Sequence, residues 1–100
     1  MTILHQLKAD LTTATQPILR PLSKTAQTKV VAIGFVEGMV LKKHKAPAPA
    51  RLFVLEGRVR YSSKTGDFDL GQYDQIDIPV GEFHEVSALE NAFCLLIIGI

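Results

Sequence analysis

Asp74-Gln75-Ile76-Asp77-Ile78-Pro79-Val80-Gly81-Glu82-Phe83-His84-Glu85-Val86-Ser87-Ala88 is the stretch that decides the fold. Ile76, Ile78 and Val80 alternate around Asp77 and Pro79, which is the period-two pattern of a strand with one buried and one wet face. Pro79 ends that strand or marks a sheet edge, and Gly81 supplies a tight turn or a positive φ. Glu85-Val86-Ser87 then opens a second short run.

The same texture extends outward in both directions. Val30 to Val36 reads as a strand, Glu37-Gly38 as a turn, and Met39-Val40-Leu41 as the next strand. Leu52 to Leu55 follows, closed by Glu56-Gly57. Val59 and Tyr61 then alternate with Arg58 and Arg60. Ser62 to Asp67 reads as a hairpin loop, after which Phe68 and Leu70 resume the alternation, and Phe93 to Ile98 is the last run. Strands recurring every 8 to 12 residues or so, with Gly-, Pro- or Asp-bearing turns, predict an all-β sandwich, jelly roll or small barrel. Residues 1–27 carry a weaker signal. Ile3, Leu4, Leu7 and Leu11 have partial helical spacing before Thr12, Thr13, Thr15, Pro17 and Pro21 interrupt it. This N-terminal extension reads as one short helix or strand followed by an extended, Pro-punctuated segment, with the barrel over 28–100.

Composition narrows the class of protein. One hundred residues, 47% hydrophobic and 21% charged, suit one globular domain. A net charge of +1 gives no electrostatic reason to expect nucleic acid or an anionic membrane as partner. The basic cluster Lys42, Lys43 and Lys45 reads as a solvated strand end or loop. No basic head, apolar run and cleavage site opens the chain. The longest apolar run, Ala92 to Ile98, is far short of the roughly 20 residues that a membrane span needs. Cys94, the one cysteine, lies inside that run without a disulfide partner, so a packing role and a cytoplasmic location are expected. No Gly-rich phosphate loop, G-x-S-x-G or H-E-x-x-H occurs.

Two segments sharpen the barrel reading. Gly38-Met39-Val40-Leu41-Lys42-Lys43-His44-Lys45-Ala46-Pro47-Ala48-Pro49-Ala50-Arg51-Leu52-Phe53-Val54-Leu55-Glu56-Gly57 resembles the first motif of the cupin superfamily. Residues 74–88 resemble the second, with P-x-G-x-x-H intact and Asp74 at the aspartate position. Together with their flanking strands they cover about residues 28 to 98. The resemblance implies a double-stranded β-helix, the jelly-roll cupin barrel. It also implies a metal held by two histidines and a glutamate of the first motif and one histidine of the second. His44 matches the first histidine and His84 the last. Ala46 stands in the second histidine's place, Ala50 in the glutamate's, and Tyr73 where the second motif begins with glycine.

Half of the implied ligand set is therefore absent, leaving His44 and His84 as an incomplete pair. A catalytic divalent metal commonly takes three or more protein ligands, so the cofactor is either a divalent metal completed by another carboxylate or none tightly bound. Asp74, Glu82 and Glu85 are the nearby carboxylates. Alternation turns Glu85 away from His84, while Glu82 lies in the loop just before it. Against these stand plainer readings: His44 as a strand-end surface residue, His84 as a structural histidine bonded to a carbonyl, and His5 as a surface residue.

The expected function is binding of a small-molecule ligand in the barrel, with His44, Ala46, Ala50 and His84 at the pocket. Alanine methyls would enlarge an apolar space and the histidines would serve as polar handles. The resemblance also implies enzymes, either metal-dependent dioxygenases and isomerases using His44 and His84 with a further ligand, or metal-free sugar epimerases with a histidine base. A third reading is a module acting through dimerisation alone. Small cupins usually form homodimers, often by adding an N-terminal strand to a neighbour's sheet.

Overall fold

The computed structural model describes residues 2–99, and for Lys43 and His44 the backbone only. A helix, α1 (Ile3–Asp10), is followed by a single 3-10 turn (Leu11–Thr13). Nine strands come next among the described residues: β1 (Ile18–Lys24), β2 (Lys29–Phe35), β3 (Val40–Lys45), β4 (Ala50–Glu56), β5 (Val59–Ser63), β6 (Gly66–Leu70), β7 (Gln75–Ile78), β8 (Phe83–Ala88) and β9 (Ala92–Ile98). They form two antiparallel sheets, ordered β1-β2-β9-β4-β7 and β3-β8-β5-β6. This is an all-β jelly roll, one of the architectures that the strand rhythm allows and the one that the resemblance implies.

The apolar residues of the inner faces meet between the sheets. Ile33, Leu52, Val54, Val59, Val86 and Cys94 are all essentially closed to solvent in this core. β9 lies at the centre of the larger sheet, between β2 and β4. Its unbroken apolar run follows from cover on both faces. Cys94, Leu96 and Ile98 face the main core, while Phe93 and Leu95 face a second cluster under the helix.

That second cluster docks the N-terminus. Thr2 caps α1 by accepting the His5 backbone N–H, and Leu7, fully buried, packs on Ala32 and Phe93. The approach is close at Gly34, where an added Cβ would stand 2.7 Å from Leu11 Cδ1, so that the leucine side chain would have to shift. Lys8 joins Glu56 at 3.2 Å and lies over the Phe93 ring, an exposed pair of small energetic weight. Beyond the helix, β1 pairs antiparallel with β2 of the same chain, with a register shift between Pro21 and Ser23. Residues 1–27 thus contribute a helix on the outer face and an edge strand.

Two local expectations are corrected. Val80 does not continue the alternation of Ile76 and Ile78: β7 ends at Ile78, as Pro79 cannot donate to a ladder, and Val80 is 56% exposed in the turn. The β5–β6 loop is also shorter than expected. Ser62 and Ser63 belong to β5, so only Lys64-Thr65 link the strands, and the Ser63 hydroxyl meets the turn through Thr65 Oγ1 at 2.8 Å.

Tyr73, at the motif's glycine position, keeps the conformation that a glycine would serve. Its φ is +72°, the one positive φ among the described non-glycine residues. The turn holding it is fully bonded. The Asp74 carboxylate accepts the Gly71 N–H at 2.8 Å, and Tyr73 N–H donates to the Val54 carbonyl at 2.8 Å. A side chain in left-handed backbone costs about 1–2 kcal/mol, and the ring, 81% exposed, recovers little by packing. Tyr73→Gly is therefore expected to stabilise the protein by about 1 kcal/mol after glycine's extra unfolded-state entropy is counted. Chemical denaturation checks this. An unchanged or lower midpoint would show that the ring makes a contribution outweighing its strain.

Candidate functional site

β8 alternates cleanly, turning His84, Val86 and Ala88 inward while Phe83, Glu85 and Ser87 face outward. β5 beside it turns Val59 and Tyr61 inward, with Tyr61 opposite Val86 and Ser63 opposite His84. The diagonal neighbours stack: the Tyr61 and His84 rings lie 5.6 Å apart between centroids and 16° from parallel. Both are buried, at 2% and 3% exposure. His84 Nδ1 is 3.3 Å from the Glu82 carbonyl. A carbonyl only accepts, so Nδ1 is the donor in this contact.

β3 reaches the site through a bulge. Leu41 pairs with Val86 and His44 with His84, so Lys42 and Lys43 together oppose the single residue Glu85. In an unbroken ladder His44 would fall opposite Phe83. The extra residue brings the backbones of the two histidines into direct register. The His44 side chain lies outside the described residues. Ala46 and Ala50 are packed into the core at 6% and 4% exposure, and Ala46 accepts the Gly81 N–H at 3.1 Å. The structure brings the backbones of His44 and His84 together, while the two alanines are closed off in the core.

The open space lies further along the barrel. β6 and β7 are edge strands of opposite sheets, and between them is a cavity of about 420 Å³. Tyr61, Phe68, Gln75, Ile76 and Glu82 stand among its lining residues. Ala46, Ala50 and His84 are not part of that lining among the described residues. Tyr61 is the link between the cavity and the histidine. Its hydroxyl is closed to solvent, and it is the one buried side-chain polar atom among the described residues without a hydrogen-bond partner. Burial, and then the Glu82 carboxylate, push its pKa above the usual tyrosine range, so it stays a neutral phenol. Alternation already turned Tyr61 inward in the sequence. Phe68 and Gln75 carry no motif and become neighbours only because β6 and β7 face one another across the seam.

The carboxylates are dispersed. Asp74 is committed to its turn, and Asp77 pairs with Arg51 at 2.6 Å across β4 and β7. Glu85, on the outer face, borders a separate groove with Ser62, Lys64 and Phe83. Glu82 borders both spaces. Among the described residues no group of three or more His, Cys, Asp or Glu side chains is placed to hold a metal ion. Cys94 is fully buried, and burial pushes its thiol up to about 12, which removes it as a nucleophile. No helix among the described residues is long and apolar enough to cross a membrane.

No protein-family model matches the sequence, and no curated protein matches it. Solved structures do match. The chain is similar to a cupin superfamily protein from Desulfitobacterium hafniense, with 16% identity, 86% of this chain and 79% of that one covered, and a TM-score of 0.80. It is similar to an RmlC-like cupin from Desulfovibrio desulfuricans at 18% identity, covering 84% and 82% of the two chains with a TM-score of 0.78. A cupin-2 domain protein from Shewanella frigidimarina matches over 100% of this chain and 94% of its own, at 13% identity and a TM-score of 0.76. Likeness at these identities carries the fold alone.

Proposed function

Since the chain has the cupin superfamily fold, we propose that it binds a small organic molecule in the cavity between β6 and β7. The observation that carries this reading is the Tyr61 hydroxyl. A buried donor without a partner costs about 1–3 kcal/mol, and this one belongs to a residue on the wall of a cavity of small-molecule size. A ligand atom that accepts its proton would recover that cost on binding. Phe68 and Ile76 supply apolar contact for the body of such a ligand, and Gln75 and Glu82 supply polar contact for its edge.

Tyr61→Phe tests the proposal with two readouts of opposite sign. Removing the orphaned hydroxyl is expected to stabilise the empty protein by about 1–2 kcal/mol. Small molecules found by thermal-shift screening of the wild type are expected to bind the variant about tenfold more weakly, the worth of one hydrogen bond. Hits that bind both proteins equally would overturn the reading.

The bulged register that sets His44 opposite His84 favours one second reading, a metal-dependent enzyme in which these two histidines take part with a further ligand. Elemental analysis of untagged protein purified without chelators separates the two. Near-stoichiometric metal that is lost in a His44→Ala, His84→Ala double variant would favour the enzyme, and metal well below stoichiometry favours the binding module.

A further inference from the structure

We propose that the ligand of the β6–β7 cavity is a small organic cation that carries an alkylammonium group and a hydroxyl, the ammonium held between the Glu82 carboxylate and the Phe68 ring and the hydroxyl oxygen accepting from Tyr61. This rests on the ligand-binding reading above and adds the sign of the ligand's charge. Among the described residues none of the lining side chains is basic. Two lining carboxylates differ in status. Asp77 is 2.6 Å from the Arg51 guanidinium and is neutralised by it. Glu82, half-buried on the lining, makes no ion pair among the described residues, and Lys64 borders only the neighbouring groove. Its charge is felt inside, because it adds to the upward push on the Tyr61 phenol. An anion entering this space would meet an uncompensated carboxylate, whereas a cation would complete the pair.

The aromatic faces point the same way. A cation is attracted to the electron-rich face of an aromatic ring, and this chain already uses that attraction twice. Lys8 lies 5.4 Å over the Phe93 ring, and Lys45 lies 4.8 Å over that of Phe83. Phe68, 43% exposed on the cavity wall, has no cation over it among the described residues. An exposed aromatic ring and one unpaired carboxylate, with a buried hydroxyl donor behind them, suit a compact hydroxyalkylammonium better than a neutral polyol, which would leave Glu82 without a counter-charge.

The test uses choline, its uncharged isostere 3,3-dimethylbutan-1-ol, which keeps the hydroxyl, and acetate. Each is titrated into the isotope-labelled full chain at low salt and about pH 8, above the range where histidines usually carry charge. Choline is expected to bind at least tenfold more tightly than 3,3-dimethylbutan-1-ol, with amide shifts at Tyr61, Phe68 and Ile76. Glu82→Gln is expected to erase that preference, and Phe68→Leu to reduce it in a protein whose Glu82 is intact. Equal binding of choline and 3,3-dimethylbutan-1-ol, or tighter binding of acetate, would overturn the cationic ligand and leave the cavity reading standing. Shifts from no probe at these residues would overturn both.

Discussion

Gly57→Ala is expected to destabilise the protein by about 3 kcal/mol or more, lowering the midpoint of thermal unfolding by more than about 12 °C for a domain of this size. Gly57 links β4 to β5 with φ +77°, and an added Cβ would fall onto the Asn91 carbonyl oxygen and 2.9 Å from Ala92 Cα. Both are backbone atoms, and they are fixed. The Asn91 side chain accepts the Glu37 N–H at 2.8 Å, and the N–H groups of Leu89 and Glu90 converge on the Arg58 carbonyl. Gly38→Ala is the control. Gly38 has φ +89° but nothing within 4 Å of an added methyl, so it should cost only the conformational part, about 1 kcal/mol. If the two variants unfold alike, the close approach at Gly57 contributes nothing.

Raising the pH from about 9 to about 12 is expected to remove up to about 4 kcal/mol of stability through Cys94 alone, at roughly 1.4 kcal/mol per unit of displaced pKa. The thiol ionises near 9 when unfolded, while burial in the folded core holds it at about 12. Between those values the unfolded chain has fewer bound protons, so stability is complete below pH 9 and falls as pH rises toward 12. Tyr61, also raised, adds a loss of the same sign from about pH 10 upward. Cys94→Ala should be less stable near neutrality by about 1 kcal/mol, from the lost sulfur contacts, yet decline less steeply in alkali. The two stability curves should therefore cross. Parallel curves would show that the thiol reaches water in the folded state.

What could be read from residues alone divides along physical lines. Alternation is local, so β2 through β9 were legible, including the inward turn of Tyr61. The continuous run of β9 was legible as buried, but not as the strand on which a helix would dock, since that depends on Leu7 meeting Ala32 and Phe93 from a distant part of the chain. The motif positions located His44 and His84. The departure at Tyr73 was visible as a change of residue, whereas its positive φ belongs to the turn and emerges only once the chain is folded. The cavity was the least legible feature. Its walls come from β6 and β7, whose facing edges belong to different sheets and leave no periodic trace in the chain.

The bulge in β3 has a consequence for chain length. Elsewhere in a ladder, losing one residue moves every side chain beyond it to the opposite face. Here Lys42 and Lys43 share one partner, so loss of either would restore a regular ladder with Leu41 still opposite Val86 and His44 still opposite His84. The stretch before His44 is thus a place where this barrel can be shortened by one residue without re-registering its histidines, straightening the strand and changing only its twist.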